Sequence, residues 1–550
     1  MSFTVIPNFD DIFPDEKKED ALSYLLKIPK EVMLKSVGFC NTYPLPDHQN
    51  FFKNYEIAKN VFARVETFRK NLGKDKKIEI ITPDSYLRLS EIVLSNIDLF
   101  TEDGDKKSDP ELNLFKAFLV LNSRIGAYNH KFDKEQSKES LIDFMILQGF
   151  QLNEIGSFGD IHSFVKLIYA TIYKVESLLE FLSFKGFHQI KSKLIESFGV
   201  DSESDLIFNM KFLFGSLLIA KVNNQFIFTL PNESSLDFLK NIAATNITAD
   251  EDFTELKKTP IYFLEENSFS VVNFYFAVDL FYRSAKFRLK TIFEKSDIKI
   301  DNFLSYYSKE FSEKFLMKNL LDNIFSKKFY KKKTEYKAEE KNEPDYYVNY
   351  NNTLLLFENK DVLISKTVKA ANDMETIESF LKERFLQSEK KGVGIKQLVK
   401  SIEFIINKNF LFDETIRYDH RLEIFPILLV HDRVYEGTGL NYKLNNWYKD
   451  ELIARKIVSN NKIKIHSLTL IDIDTLIVWS GSIKDHFKLF KELLANHTKH
   501  LDEQYKKSYS SSNYLLDYLQ RILRPISNRN VPFKLDYKDL IKQFVDLNKK

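Results

Sequence analysis

Hydrophobic positions in the first half of the chain recur every third or fourth residue, which is the spacing of an amphipathic helix. Residues 52–72 show this pattern at Ile57, Val61, Phe62, Val65 and Phe68. The same periodicity predicts a long helix over Tyr275–Glu294. Residues 206–280 are more ambiguous, because the short apolar runs around Asn223-Asn224 also suit a hairpin. We therefore predict a mainly helical domain with a small β element over residues 1–295.

The second half of the chain alternates between strand and helix patterns. Ile424–His431 and Ile463–Ile471 are continuous apolar runs typical of buried strands, and a helical pattern lies between them. Strand, helix and strand in this order indicate a mixed sheet. We predict an α+β multidomain protein in which residues 296–485 form an α/β domain with a mixed central sheet. Residues 486–550 are predicted to form a helical tail.

Two runs rich in β-forming residues flank Asn351 and Asn352, and the chain is predicted to fold back there as a hairpin. Asparagine tolerates the positive φ angles that a two-residue hairpin turn requires. Counting outward from this turn gives three cross-strand pairs: Tyr350 with Thr353, Tyr347 with Leu356, and Asp345 with Glu358. The last of these pairs places two carboxylates opposite each other.

The opposed carboxylates of Asp345 and Glu358 need compensation, because like charges about 5 Å apart on one face of a hairpin are destabilising. Lys360 lies on the same face as Glu358, since side chains alternate along a strand. Carboxylate oxygens suit Mg²⁺ and Mn²⁺, and an ammonium group can orient a nucleophilic water. The pattern therefore predicts a divalent-metal site. The alternative is an edge hairpin whose three charges are simply solvated.

The dipeptide Pro344-Asp345, followed after a gap by Glu358-Asn359-Lys360 at the end of an apolar strand, resembles the motif of the PD-(D/E)XK nuclease superfamily. An acid two residues before a lysine also occurs at residues 75–77 and 297–299. Only residues 358–360, however, close a run of four bulky apolar residues. The resemblance covers roughly residues 300–485 and does not extend to the N-terminal half.

This resemblance implies a restriction-endonuclease-like fold and hydrolysis of phosphodiester bonds that depends on Mg²⁺ or Mn²⁺. It implies that Asp345, Glu358 and Lys360 are catalytic, and that the two acids bind metal together with the backbone carbonyl of Asn359. The substrate that it implies is DNA, with RNA as the alternative. A large helical module joined to a nuclease domain further suggests a prokaryotic restriction or antiphage defence effector.

An acid on the helix before the hairpin supplies an additional metal ligand in many members of this superfamily. Glu313 fits that position in the predicted helix Phe303–Phe325, because it lies on the apolar face with Leu316 and Leu320. An acid in such a place is costly unless it has a partner or a metal ion. Glu310 is the competing candidate, and an acid at the edge of the apolar stripe is the alternative explanation.

Basic residues near the hairpin are candidates for binding the nucleic-acid backbone. They are Lys331, Lys332 and Lys333 before the hairpin, and Lys396, Gln397 and Lys400 after it. The first three end a basic run that is predicted as a loop, which either contacts phosphates or is solvated. The other three follow from the resemblance, since related nucleases often carry a glutamine and basic residues on the helix after the catalytic strand. A surface helix is the alternative.

Composition narrows the remaining classes. The 550 residues, of which 44% are hydrophobic and 29% charged, are typical of a soluble globular protein and too many for one ordinary core. A net charge of +2 gives no overall basic signature, so a nucleic-acid surface must be a local patch. The chain has one cysteine, Cys40, and shows no signal-peptide pattern, so we expect a cytoplasmic protein without a membrane partner.

Two further functions stay open. One is a catalytically silent nuclease fold that serves as a binding or assembly module, and the other is a helical adaptor in which the hairpin is incidental. Joined to a nuclease, the helical N-terminal half would supply target recognition, a protein interface or regulation, and homo-oligomers are a further expectation. His431, Asp432 and His466 match no zinc-ligand spacing, so we expect core or loop residues there.

Overall fold

The computed structural model describes residues 4–42, 45–72, 77–132, 138–156, 160–229, 236–244, 247–250, 252–265, 268–333, 344–369, 371, 373–388, 391–503, 512–529 and 533. These residues form a mixed α/β structure. None of the helices among them is both long and apolar enough to cross a membrane.

The helices and strands alternate irregularly along the chain. The helices of the first half are α1 (Phe9–Ile12), α2 (Ala21–Leu25), α3 (Lys30–Ser36), α4 (Tyr55–Leu72), α5 (Pro83–Ser95), α6 (Pro110–Phe132), α7 (Lys138–Leu152), α8 (Ile161–Phe184), α9 (His188–Glu196), α10 (Glu203–Val222), α11 (Leu236–Lys240), α12 (Thr254–Lys258) and α13 (Phe274–Glu294). Those of the second half are α14 (Phe303–Tyr306), a π-helical segment (Tyr307–Met317), α15 (Lys318–Ile324), α16 (Lys366–Lys369), α17 (Met374–Phe385), α18 (Ile395–Ile406), α19 (Leu440–Ala454), α20 (Ile473–Asp485), α21 (Phe487–Leu501) and α22 (Ser512–Leu523). The strands are β1 (Thr4–Val5), β2 (Lys77–Ile78), β3 (Ile227–Thr229), β4 (Ile261–Glu265), β5 (Ser268–Val271), β6 (Lys331–Lys333), β7 (Tyr346–Tyr350), β8 (Thr353–Lys360), β9 (Gln387–Ser388), β10 (Lys391–Gly392), β11 (Leu422–Val430), β12 (Ile463–Ile465) and β13 (Thr469–Asp472).

The first half is mainly helical, with a small β element as predicted. That element is the antiparallel sheet β3-β5-β4. The hairpin expected around Asn223-Asn224 was wrong, because α10 continues to Val222 and buries one face, including Met210 and Leu217. Asn224, with a φ angle of 58°, then turns the chain from this helix toward β3. Helical burial here outweighs the local strand propensity.

The central sheet has six strands and lies in the second half of the chain. Its order is β12-β11-β8-β7-β6, and β13 also pairs with β11. Strand β7 is antiparallel to β6 and β8, whereas β11 is parallel to β8, β12 and β13. Pro426 lies where the β12 pairing ends at Ile424 and the β13 pairing begins at Ile427, a break that tolerates its missing amide hydrogen. The predicted mixed sheet is therefore confirmed.

The hairpin of β7 and β8 forms in the predicted register. Tyr350 pairs with Thr353 and Tyr347 pairs with Leu356, as expected from the sequence. Asn351 and Asn352 have φ angles of 49° and 59°, as a two-residue hairpin turn requires. The pairing between the strands ends at Tyr346 and Phe357, so the predicted pair of carboxylates lies just beyond the ladder.

Strand β8 is covered on both faces, and seven of its eight residues are buried. Leu355 and Phe357 face a core formed largely by α8, α13 and α20. Leu354 and Leu356 face a second core formed by α7, α18, α19 and α22. The first core also contains Phe281, from the other side of the boundary proposed at residue 295, so the two halves pack against each other.

We expect Asn352→Ala to lower the free energy of unfolding by about 1–3 kcal/mol. Its Nδ2 donates to the carbonyl oxygen of Arg417 at 2.6 Å, and its Oδ1 accepts from the Arg417 backbone N–H at 3.1 Å. The matched control is Asn351→Ala, because Asn351 also has a positive φ angle but is exposed. Urea denaturation followed by circular dichroism makes the comparison. Equal losses in the two variants would contradict a role for the buried amide.

Candidate active site

The start of β7 and the end of β8 bring three charged side chains together. Asp345 directly precedes β7, and its Oδ2 accepts a hydrogen bond from the backbone N–H of Asn359 at 2.7 Å. Lys360 Nζ donates to Glu358 Oε1 at 2.8 Å. Asp345 also raises the pKa of Glu358, which places both carboxyl groups in one electrostatic cluster. The side chains of Asp345, Glu358 and Lys360 therefore converge instead of diverging into solvent.

The backbone of Asn359 faces the same cluster. In an extended strand such as β8, the N–H and C=O groups of one residue point to the same side of the strand. Because the N–H of Asn359 points to Asp345, its carbonyl oxygen is directed to that side as well. The site thus has a second kind of hard oxygen donor, a backbone carbonyl, on the side of the strand where Asp345 lies.

Glu358 is the most strongly perturbed acid of the cluster. Its side chain has no exposed surface, and within the described part of the chain its Oε2 has no hydrogen-bond partner. Burial and the neighbouring Asp345 together raise the pKa of Glu358 to about 8. Burial also raises the pKa of Asp345. The site therefore holds carboxyl groups that retain protons at pH values where exposed acids are ionised.

Lys360 is the positive member of the cluster. Burial alone would lower the pKa of its ammonium group, but Glu358 and Asp345 outweigh that effect and raise it. Lys360 Nζ also lies 3.4 Å from Oε1 of Gln397. The same amide oxygen accepts from the backbone N–H of Gly394 at 2.7 Å, at the start of α18. Gln397 thus links the lysine to the helix that follows the hairpin.

The helix before the hairpin presents Glu313 to the cluster. Burial and the charge of Asp345 raise the pKa of Glu313 to about 7. Glu310 instead forms ion pairs with Lys185 at 2.8 Å and Lys314 at 2.9 Å. Glu313 is therefore the acid that interacts with the site. It lies in the π-helical segment, and such segments are frequent at functional sites.

The oxygen donors fit a hard divalent cation, but they are not arranged as a finished cage. No three of the described acidic, histidine or cysteine side chains lie close enough together to enclose a metal ion. Glu358 Oε1 is held by Lys360, while its buried Oε2 has no partner among the residues that the structure describes. A metal ion would give that oxygen a partner, and carboxylate and carbonyl ligands are those that Mg²⁺ and Mn²⁺ favour.

A buried ion pair that the sequence did not indicate anchors the end of β8. Lys286 of α13 donates to both oxygens of Asp361, at 3.0 and 2.9 Å, and only 5% of the lysine is exposed. The hydroxyl of Ser312 donates to Asp361 at 2.7 Å. Ser312 adjoins Glu313, so this contact fixes the π-helical segment next to Lys360. A lysine within an otherwise apolar helical face was the only signal in the sequence.

His431 holds the side chain of Asn359 on the other side of β8. Its Nε2 lies 2.7 Å from the Asn359 Oδ1. Burial lowers the pKa of His431 to about 4, so the imidazole is neutral. The role of His431 is to orient Asn359, which lies between Glu358 and Lys360.

The basic residues named as nucleic-acid contacts have different surroundings. The run predicted as a loop instead forms the edge strand β6, which pairs with β7. Lys331 is exposed, Lys332 forms an ion pair with Asp322 at 2.9 Å, and the side chain of Lys333 lies outside the described residues.

On α18, Lys396 donates to Gln387 at 2.6 Å and lies 3.3 Å from a carboxylate oxygen of Glu451. Lys400 is half-buried on the same helix. Of the six candidates, Lys331 has an exposed side chain that could reach a phosphate group. Gln397 instead contacts the charged cluster through Lys360.

Comparisons of the chain with protein-family models, with curated proteins and with solved structures found no match. The functional argument therefore rests on the geometry and chemistry of the site. Its central observation is a cluster of carboxyl groups around one lysine, in which Glu358 is fully buried and Asp345 and Glu313 are half-buried.

We expect the metal-free wild-type protein to lose stability relative to Glu358→Gln as the pH rises from about 5 to about 8, by on the order of 3 kcal/mol. Between the ordinary pKa of 4.5 and the folded-state pKa of about 8, the folded protein keeps a proton that the unfolded chain has released. Folding is therefore penalised increasingly as the pH rises. Glutamine does not titrate. Urea denaturation at several pH values measures this difference, and a constant difference would contradict the assigned pKa.

We expect Asp361→Asn to be more destabilising than the double change Lys286→Met/Asp361→Asn. The single change leaves a buried ammonium group without its carboxylate, which costs about 3–5 kcal/mol, whereas the double change removes both charges. Thermal unfolding of the two variants and of Lys286→Met gives the comparison. If the double variant were as unstable as Asp361→Asn, the ion pair would not explain the effect.

Proposed function

We propose that this chain is a nuclease of the PD-(D/E)XK type that depends on Mg²⁺ or Mn²⁺ and hydrolyses phosphodiester bonds, with residues 296–485 as a restriction-endonuclease-like domain. The observation that carries the proposal is the convergence of Asp345, Glu358 and Lys360 at the ends of two paired strands. Strongly perturbed carboxyl groups next to a lysine are typical of functional sites. The order of Asp345, Glu358 and Lys360 along the chain, which matches the PD-(D/E)XK motif, also supports the proposed nuclease function.

The residues that would hold the metal ion are Asp345, Glu358 and the backbone carbonyl of Asn359, with Glu313 as a further ligand. When bound, the ion would neutralise charge on the phosphate and lower the pKa of a water molecule. The backbone N–H of Asn359 fixes the Asp345 carboxylate in place. His431 in turn restrains the side chain of Asn359.

Lys360 would orient the attacking water and stabilise negative charge that develops on the phosphate. Its ammonium group is held between Glu358 Oε1 and Gln397 Oε1, at 2.8 and 3.4 Å. The nearby acids keep it protonated, since they raise its pKa. It therefore acts as a positive hydrogen-bond donor and not as the base that removes a proton.

The substrate that we propose is DNA, with RNA as the alternative. The exposed Lys331 on β6, together with Lys332 and Lys333, would contact the phosphate backbone through a salt-dependent attraction. The helical first half would supply target recognition or a protein interface. A cytoplasmic restriction or antiphage defence effector, acting as a monomer or a homo-oligomer, is the setting that fits this arrangement.

We expect Asp345→Ala, Glu358→Ala and Lys360→Ala each to reduce cleavage by at least about 100-fold. The assay measures cleavage of three substrates: plasmid DNA, single-stranded DNA and RNA. Each is incubated with Mg²⁺, with Mn²⁺ or with EDTA. Glu313→Ala should weaken Mn²⁺ binding, measured by calorimetry. The matched control is Glu310→Ala, because Glu310 lies on the same helix but pairs with Lys185 and Lys314.

Cleavage retained by the Asp345→Ala protein would overturn the assignment. A wild-type protein that binds Mn²⁺, loses this binding on Glu358→Ala and cleaves none of the three substrates would instead be a catalytically silent binding module. Cleavage that persists in EDTA would exclude the metal-dependent mechanism.

A further inference from the structure

The segment between α15 and β6 places an exposed aromatic side chain on the surface. Residues 327–330 form a turn, in which the backbone N–H of Tyr330 donates to the carbonyl oxygen of Lys327 at 3.1 Å. Phe329 lies in this turn and is 53% exposed. Single exposed phenylalanines are common on protein surfaces, so exposure alone indicates no ligand. The surroundings of Phe329 distinguish it from such residues.

Two tyrosine rings hold the ring of Phe329 in place. Its centre lies 4.5 Å from that of Tyr330 and 5.1 Å from that of Tyr350, the last residue of β7. The two tyrosines contact each other at 5.4 Å, and both contact Phe487 of α21, at 5.5 and 5.2 Å. Tyr330 and Phe487 are buried, so the exposed ring packs on a cluster that is fixed from below. A ring held in this way loses little conformational entropy when a flat ligand stacks on it.

The residues next to the exposed ring are strongly basic. Four of the six residues from Lys327 to Lys332 are lysines, and none of the six is an acid. Lys332 forms an ion pair with Asp322 at 2.9 Å. The other three lysines are exposed and have no ion pair with any acid that the structure describes. Their ammonium groups are therefore available to the phosphates of a nucleic-acid strand.

The pairing of β6 with β7 leads from this ring toward the candidate active site. Lys331 pairs with Asn349, and β6 then continues along β7 in the direction of Asp345. Asp345 lies four residues before Asn349, and Phe329 lies two residues before Lys331. At the rise of a β-strand, these six residues span on the order of 20 Å. About six stacked nucleotides of one strand cover the same length.

We propose that Phe329 is a stacking platform for an unpaired base of the nucleic acid on which the proposed nuclease acts. The phosphates next to that base contact the exposed lysines at positions 327, 328 and 331. A base inside a duplex has both faces covered by its neighbours, whereas an unpaired base can stack on an aromatic side chain. The substrate is therefore a nucleic acid with an unpaired segment about six nucleotides from the scissile bond. This assignment of the substrate rests on the proposed function.

The test measures binding of a fluorescein-labelled single strand of about 15 nucleotides to the full chain. Fluorescence anisotropy is recorded in EDTA, so that metal-dependent cleavage does not interfere. We expect the single strand to bind more tightly than a duplex of the same sequence. Phe329→Leu should lower the affinity for the single strand by at least about fivefold, because it removes the stacking surface. Leucine keeps an apolar side chain against Tyr330 and Tyr350, and Phe329→Trp should retain the wild-type affinity.

The dependence on salt separates stacking from charge. Lys331→Gln should lower the slope of log affinity against log salt concentration by about 0.7, the contribution of one phosphate contact in a single strand. Phe329→Leu should leave that slope unchanged. The matched control is Phe208→Leu, because Phe208 is also exposed, at 44%, but lies on α10 with Phe212 as its ring partner. This control should bind the single strand as tightly as wild type.

An affinity for the single strand that is unchanged in Phe329→Leu would contradict the inference. So would a duplex that binds as tightly as the single strand, or the absence of any binding, which is the result expected if this surface contacts an acidic protein. Binding through Phe329 without cleavage in Mg²⁺ or Mn²⁺ would support the stacking site and contradict the proposed nuclease. Cleavage by a protein whose binding does not depend on Phe329 would have the opposite meaning.

Discussion

The burial of β8 on both faces is the constraint on which the rest of the structure depends. A strand in that position must be apolar along its length, yet this one ends in Glu358-Asn359-Lys360. Charges at the end of a buried strand cannot be solvated freely, so each needs a partner in place. Lys360 partners Glu358, the N–H of Asn359 partners Asp345, and His431 holds the Asn359 side chain. The geometry of the site is thus a consequence of where the strand ends.

The same requirement ties the first half of the chain to the sheet. Asp361 continues the motif by one residue, and its partner Lys286 comes from α13. A second buried acid, Glu154, forms ion pairs with Lys257 at 2.7 Å, with Arg283 at 2.6 Å and with Lys369 of the sheet-bearing half. Removing one member of such a buried ion-pair group leaves an uncompensated charge in an apolar environment, which is destabilising. The helical half therefore supports the position of the site physically, in addition to any role in recognition.

The sequence was enough to predict those features of the fold that depend on residues close together in the chain. The turn at Asn351-Asn352 sets the register of β7 and β8, and both follow from a few adjacent residues. The strand β6 was not predicted, because lysine has little strand propensity and only pairing with β7 makes Lys331–Lys333 extended. The partner of Lys286 lies 75 residues away along the chain, and no periodicity can indicate it.

The charge balance of the site explains why its acids hold protons and do not already form a cage. Glu313, Asp345, Glu358 and Lys360 would together carry a formal charge of −2 if all of them were ionised. In the absence of a cation, burial makes that charge unfavourable, and the pKa values of Glu313 and Glu358 rise to about 7 and about 8. One divalent cation would neutralise the same charge. The raised pKa values and Lys360 thus reduce the net charge of the cluster without a cation, and the metal ion of the proposed mechanism would have to displace protons from these carboxyl groups.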